Sequence, residues 1–341
     1  MAHPRRTALA AALVAPLLAA CSTGSATDQV EAQARSEVES DAFPVTIEHA
    51  FGGTTIEEEP QRVATLGWTD QDNALSLGVV PVAATKLTWG GNAGGSSDWF
   101  DAEVEELGVE APVRYDDADG APIEDVAEAQ PDVILATNSG ITEAEYRKLS
   151  KIAPVVAFPG DPWTTPWQTQ MEMVGQALGR SDLAAEVTAE TETAIADAAA
   201  EYPQLNGSSL IFGYLSTADL STVGIYAPED PRVSLMHDLG MVDAPAVADA
   251  IKPGEFYGSV SAEESSELAS DVFLTWSENP GDMETFANHD LVGQIPAIAD
   301  GHAYAEEDQH VSLSVTNPSP LSIPYVIDNF IPEVAAAIDG A

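Results

Sequence analysis

Cysteine, positive charge and long apolar runs are all scarce in this chain. Cys21 is the only cysteine in 341 residues. That excludes a disulfide framework and any thiolate-rich metal site, so the fold must be held by burial alone. About 300 residues suffice for that, because chains of this size bury most of the surface they expose when unfolded. Cations are nearly as rare: 12 Lys and Arg face 56 Asp and Glu, a formal net charge of −44. Such a surface repels nucleic acid and anionic lipid, whose binding relies on neutralising phosphates with Lys and Arg. The acid reads as a solvated, self-repelling coat of the kind halophilic proteins use. It also sets a condition: an anionic ligand would require the few cations to gather at its site.

Catalytic signatures are missing too. There is no G-x-S-x-G elbow, no H-E-x-x-H and no cysteine nucleophile apart from Cys21, so no enzyme is expected. Asp116-Asp117 and Glu306-Glu307 read as solvated loops rather than as acid and base. His49, His237, His289, His302 and His310 are not paired at a short ligand spacing, which leaves His237 and His310 as the ones to test for metal. The run Gly90-Gly91-Asn92-Ala93-Gly94-Gly95 has G-x-x-x-x-G spacing but no following Lys-Ser/Thr. It is expected to be a mobile lip beside Trp89, not a phosphate loop.

What is present starts with Arg5, Arg6 and an apolar run over residues 8–18, closed by Leu18-Ala19-Ala20-Cys21. This is the layout of an export signal, too short for the ~20 residues of a membrane span. An ordinary signal would be cut after an Ala-x-Ala-like site and leave a free thiol. The Arg5-Arg6 pair also fits a twin-arginine signal. The tetrapeptide resembles the lipobox of bacterial lipoproteins, which implies residues 1–20 as signal peptide and a lipid on Cys21. The mature chain would then lie lipid-anchored on the extracytoplasmic face of the cell membrane. Residues 22–42 hold hardly any large apolar side chain and read as a flexible tether, so 21–42 form the anchor segment.

Strands and helices alternate from there. Phe43-Pro44-Val45-Thr46-Ile47 and Gly52-Gly53-Thr54-Thr55-Ile56 read as a hairpin. Strands are expected at 62–66, 79–82, 131–136 and 154–158, with helices at 71–77, 123–129 and 142–150, the last capped by Thr142 with Glu145 at the capping-box position. Short apolar strands separated by helices argue for a parallel sheet covered on both faces. Residues 167–202 form the longest helical pattern, broken near Gly179-Arg180-Ser181-Asp182, with Ser181 and Asp182 as caps for its second half. Strands then return at 209–214, 271–276 and near Ala303-Tyr304, with helices at 232–239 and 323–338. The fold expected is α/β, two Rossmann-like lobes joined by a single long helix with a ligand cleft between them. The lobes span 43–178 and 204–341, and the connecting helix 179–203.

Particular segments carry a resemblance. They include Arg62-Val63-Ala64-Thr65-Leu66-Gly67-Trp68, Ile123-Glu124-Asp125-Val126-Ala127-Glu128-Ala129-Gln130-Pro131-Asp132, Lys151-Ile152-Ala153-Pro154 and Pro320-Leu321-Ser322-Ile323-Pro324-Tyr325. With these the chain resembles the substrate-binding proteins of iron–siderophore ABC transporters, the helical-spine class of periplasmic binding proteins. The resemblance implies capture of a ferric siderophore and delivery to an ABC permease. It implies no cofactor, since iron arrives as a chelate with the ligand, and a monomer as the working unit. Cobalamin, haem or a metal ion are the alternative ligands, because the scaffold is shared.

Ligands of open α/β sheets sit beyond the carboxyl ends of the strands. The residues falling there are Trp68, Lys86, Trp89, Asn138, Trp163 and Trp167 in the first lobe, and Tyr214, Tyr226, Arg232, Phe256, Tyr257 and Trp276 in the second. A single Trp in such a place could pack a core, but five together suit a bulky ligand that covers them. Arg or Lys can hydrogen-bond metal-bound oxygens with charge assistance, which points to Arg232 and Lys86. The resemblance adds Arg114, where hydroxamate binders carry a ligand Arg. It also implies permease docking through one exposed Glu per lobe: Glu143 or Glu145, and Glu263 or Glu264.

Overall fold

The computed structural model describes residues 38–252 and 254–340. Cys21, the export signal and most of the expected tether lie outside them. The first described elements, β1 (Val45–His49) and β2 (Gly52–Ile56), pair antiparallel with Ile47 and Ile56 turned inward. Residues 38–42, expected in the tether, instead pack on the chain. The Glu39 N–H donates to the Gly179 carbonyl at 3.0 Å. Its carboxylate accepts from the Asp182 N–H at 2.6 Å. That carboxylate caps the long helix from outside, so Ser181 and Asp182 are not its caps.

The first lobe follows as β3 (Val63–Thr65), α1 (Asp70–Ser76), β4 (Ala83–Thr85), α2 (Asp98–Leu107), β5 (Val113–Tyr115), α3 (Ile123–Ala129), β6 (Val133–Ala136), α4 (Glu143–Leu149) and β7 (Val155–Ala157). All neighbours are parallel, in the order β5-β4-β3-β6-β7. Strands β3, β6 and β7 are buried at every position, as strands covered on both faces require. The Thr142–Glu145 capping box starts α4 as expected. The strand expected at 79–82 lies later, at β4. The chain is still leaving α1 through Gly78 in a left-handed turn, and Pro81 has no N–H for a ladder.

Helices α5 (Trp167–Leu178) and α6 (Ser181–Glu201) meet at Gly179, whose φ of +66° is a left-handed cap position. The second lobe comprises β8 (Ser209–Ser216), β9 (Asp219–Tyr226), α7 (Pro231–Asp238), β10 (Val242–Asp243), α8 (Pro245–Ala250), β11 (Tyr257–Ser261), β12 (Val272–Trp276), α9 (Asp282–Asn288), α10 (Pro296–Asp300), β13 (Ala303–Glu306), α11 (Gln309–Thr316), α12 (Ile323–Asn329) and α13 (Ile331–Asp339). Its sheet runs β11-β9-β8-β12-β13, with β10 beside the start of β8. Strands β8, β12 and β13 are parallel, whereas β9 and β11 run antiparallel. The second sheet is therefore mixed, against the expectation of another parallel one. One apolar core links the lobes: it runs from Val63 and Val133 through Met171, Ala184 and Ile195 to Leu210, Phe212 and Phe330.

Candidate functional site

The first sheet reverses its winding between β3 and β6, so the loops after these strands part and leave a crevice. Buried Asp70 ties the two loops together. It accepts from the Gly67 N–H at 3.0 Å and from the Thr137 N–H and hydroxyl. Burial pushes its carboxyl up to about 6, against the pull of those bonds. Held this way, Trp68 and Asn138 stand at the crevice. Trp163 joins them from the loop after β7 with φ at +63°, a conformation costly for a bulky residue. Gly140 leaves room for its side chain, because a Cβ there would strike the Trp163 indole.

Opposite them the second lobe brings Asp230, Pro231 and Arg232 from the start of α7, Phe256 from before β11, and Thr316 and Asn317 from the end of α11. Together these nine residues line a cavity of ≈ 260 Å³ between the lobes. A neighbouring hollow of ≈ 140 Å³ shares Trp163 and adds Asp117, Ser139 and Gly140. Arg232 is the one cation among the described residues lining the larger cavity, and Asp230 the one anion. They form a buried ion pair at 2.6 Å. Burial would lower the Arg232 pKa, but Asp230 outweighs it and holds the guanidinium charged. The guanidinium lies 3.7 Å over the Tyr226 ring, with Trp276 at 6.0 Å.

An aromatic wall continues on the second sheet. Tyr226 and Tyr257 face each other across β9 and β11, with ring centroids 5.5 Å apart. Tyr257 lies over Gly224, where a Cβ would strike its phenol. Tyr214 pairs with Gly224, is 38% exposed, and donates to Glu278 at 3.3 Å. Burial raises the Tyr214 and Tyr257 phenols, so both stay neutral hydroxyl donors at ordinary pH. Trp276 is 6% exposed and meets Trp89 of the first lobe edge-on at 6.4 Å.

Of the residues singled out in the sequence, Trp68, Asn138, Trp163, Arg232 and Phe256 meet in one cavity. Tyr214, Tyr257, Trp276 and Trp89 lie on the aromatic surfaces described above. Trp167 does not belong to the cleft. It opens α5, is 1% exposed in the core, and donates through Nε1 to Asp238 at 3.1 Å. Arg114 sits on β5 and spends its guanidinium within its own lobe, on Gln71, the Thr85 carbonyl at 3.1 Å and Ser96 at 2.6 Å. Phe100 lies 5.0 Å below it. Lys86 is exposed with its stem against Gly95, and it does not line the cavity. Thr316, Asn317 and Asp117 were not legible: each lies at or just past an element end, and only tertiary placement brings it to the cleft.

The glycine lip is also different from expectation. Gly90, at φ +69°, abuts α11 of the other lobe, where a Cβ would meet the Gln309 carbonyl. His310 secures it, with Nδ1 at 2.8 Å from the Gly90 carbonyl and its ring 4.7 Å from Trp99. A second inter-lobe contact is the buried Asp72, which accepts from Trp99 Nε1 at 2.8 Å and from Ser319 at 2.9 Å. Burial pushes its carboxyl up to about 6, opposed by those two donors. His237 pairs with Asp243 at 2.9 Å. Among the described residues, no group of three or more His, Cys, Asp or Glu is placed to hold a metal. None of their helices is long and apolar enough to cross a membrane.

Two α/β lobes on a shared helical core, with an aromatic cleft at their strand ends, define a solute-binding protein. The chain belongs to the periplasmic binding protein family, whose model it matches over residues 63–309. It is 25% identical over 302 residues to the probable siderophore-binding lipoprotein YfiY of Bacillus subtilis, covering 83% of this chain and 86% of that one. Among solved structures it is similar to Streptococcus pneumoniae PiaA in complex with ferrichrome, at 34% identity and a TM-score of 0.82, over 87% of this chain and 99% of that one. A periplasmic solute-binding protein from Mycobacterium smegmatis matches at 28% identity and a TM-score of 0.71, over 86% and 98%. The family and these relatives are solute-binding proteins rather than enzymes.

Proposed function

We propose that the protein captures a ferric siderophore outside the cytoplasmic membrane and delivers it to an ABC importer. The observation that carries this reading is the cleft itself: aromatic walls from both lobes around one arginine, in a chain otherwise depleted of cations. A ferric chelate is bulky, with an apolar frame for Trp68, Trp163 and Phe256 to cover. Its metal-bound oxygens suit charge-assisted donation from Arg232 and neutral donation from Tyr257. The pairing of Arg232 with Asp230 also bears on ligand class. The cavity carries no net charge, so it suits a neutral tris-hydroxamate complex better than the −3 charge of a ferric tris-catecholate. The relative solved with ferrichrome, a tris-hydroxamate, supports the same choice.

The two lobes, residues 43–178 and 204–341, would act as the halves of this clamp, with 179–203 as the spine between them. A lipid on Cys21 would keep the clamp beside its permease. For docking, Glu143 is the better first-lobe candidate. Glu145 spends its carboxylate on Thr142 and on the Ala121 N–H. Glu263 and Glu264 are both exposed on the second lobe.

Tryptophan fluorescence of the purified protein should quench on titration with ferric hydroxamates and stay flat with free Fe³⁺ or Zn²⁺. Tris-catecholate and citrate-type chelates should bind more weakly. A response confined to cobalamin or haem would overturn the reading.

A further inference from the structure

Two asparagines in the cavity wall are unusual for what they do not bond. Asn138, from the first lobe, is 2% exposed, and its buried Oδ1 has no hydrogen-bond partner among the described residues. Asn317, from the second, is 8% exposed, and its buried Nδ2 has none either. Their neighbours behave otherwise. Ser139 donates its hydroxyl to the Ala136 carbonyl at 3.0 Å, and Thr316 donates to the Ser312 carbonyl at 2.8 Å. The backbone of Asn317 is satisfied as well, donating to Leu313 at 3.0 Å and accepting from Ser322 at 3.1 Å. Only the two side-chain amides are left over, and both line the one cavity. A buried polar group without a partner is destabilising and calls for an explanation, and at a cavity wall a bound group can supply the missing bond.

We infer that Asn138 and Asn317 form a subsite, shared between the lobes, for a secondary amide in the organic frame of the ligand. This rests on the siderophore reading above and adds to it what part of the chelate is read. The polarity of the two atoms decides the class. An unpaired carbonyl oxygen on Asn138 needs a ligand N–H or O–H. Metal-bound hydroxamate and catecholate oxygens carry no proton, so they cannot satisfy it. An unpaired N–H on Asn317 needs an acceptor. A secondary amide offers one of each, and turning both side-chain amides over together exchanges the two roles and keeps the match. Arg232 and Tyr257 would then face the iron-bound oxygens while the asparagines read the frame. Because one asparagine comes from each lobe, a bound amide would also hold the lobes together.

The test compares two neutral ferric chelates of the same coordination. One is ferrichrome, whose ring is a peptide. The other is a tripodal tris-hydroxamate of similar size joined through esters, which has no N–H. The purified wild type should prefer ferrichrome by about tenfold, the discrimination expected when a buried polar group is left unpaired. Asn138→Ala and Asn317→Ala should each remove most of that preference by weakening ferrichrome alone. The melting temperature of the ligand-free variants should stay level or rise, since neither amide has a partner to lose. Variants that keep the preference, that lose both chelates equally, or that melt well below the wild type overturn the subsite. A wild type that binds both chelates equally overturns it too, and leaves the siderophore reading standing. A wild type that binds neither overturns that reading and the subsite with it.

Discussion

The two lobes reach the same cleft by different means. The first is an all-parallel sheet of strands three or four residues long, and it offers the cleft loops rather than strands. Its contributions, Trp68, Asn138 and Trp163, are held by a buried carboxylate and by a glycine that makes room for an indole. The second lobe turns β8 back into antiparallel β9 and β11, and this opens a sheet face to the cleft. Side chains on a sheet face stand in register, so Tyr214, Tyr226, Tyr257 and Trp276 form a wall without loop scaffolding. The lesson is that the first lobe depends on backbone geometry, and the second on one buried ion pair set into an aromatic face.

The sharpest way to break that comparison is Arg232→Ala. It leaves Asp230 buried and unpaired, which should cost about 3–5 kcal/mol of stability and abolish chelate binding. Denaturant unfolding and fluorescence titration would measure both. Trp163→Ala should behave oppositely: binding falls at least tenfold while stability changes by no more than about 1 kcal/mol, since the indole faces the cavity. A large loss of stability there would mean that the first lobe is also held by its ligand-facing residues.

Asp72 tests the seam between the lobes. Its folded pKa of about 6 lies above the ordinary 3.8. The folded protein therefore binds this proton more readily than the unfolded chain does. The carboxylate opposes folding above pH 6, and the penalty is relieved as pH falls from 6 towards 3.8. Asp72→Asn should raise stability at pH 8, by at most about 3 kcal/mol, and the gain should vanish near pH 4. Melting curves at the two pH values decide it, and a gain independent of pH would remove the carboxylate's role. The smallest effect belongs to Glu143→Ala. Its exposed pair with Arg147 contributes about 0.3–0.5 kcal/mol, so stability and binding should hardly move. Uptake of the chelate by cells carrying the permease should fall nonetheless if this residue docks.

Much of the chain was readable before folding, and the parts that were not share a cause. Helices α3 and α4 and strands β6 and β12 carry strong local signals: apolar runs of the right length, a capping box, a proline just before the strand. Strands β9 and β11 carry weaker ones, and their pairing joins residues some thirty apart, such as Tyr226 and Tyr257. Trp163 was recognisable as a strand-end tryptophan, and Arg232 as a cation opening a helix. Trp167 looked the same by position. Its indole turns into the core because α5 packs against both lobes, and no local pattern records that. Arg114 likewise carries a cation's signature, while its partners Gln71 and Ser96 lie 43 and 18 residues away.

The sequence by itself determined that this is an acidic α/β chain without disulfides, that its start has the layout of an export signal, and that aromatic residues fall at its strand ends. Those properties depend on composition and short-range pattern, which survive in any conformation of the chain. Only the tertiary structure decided which of those residues share a cavity, that Arg232 is matched by Asp230, and that two asparagines from opposite lobes stand unpaired within it. Burial and partnership belong to pairs of distant residues, so they come into being only when the lobes close on their common core.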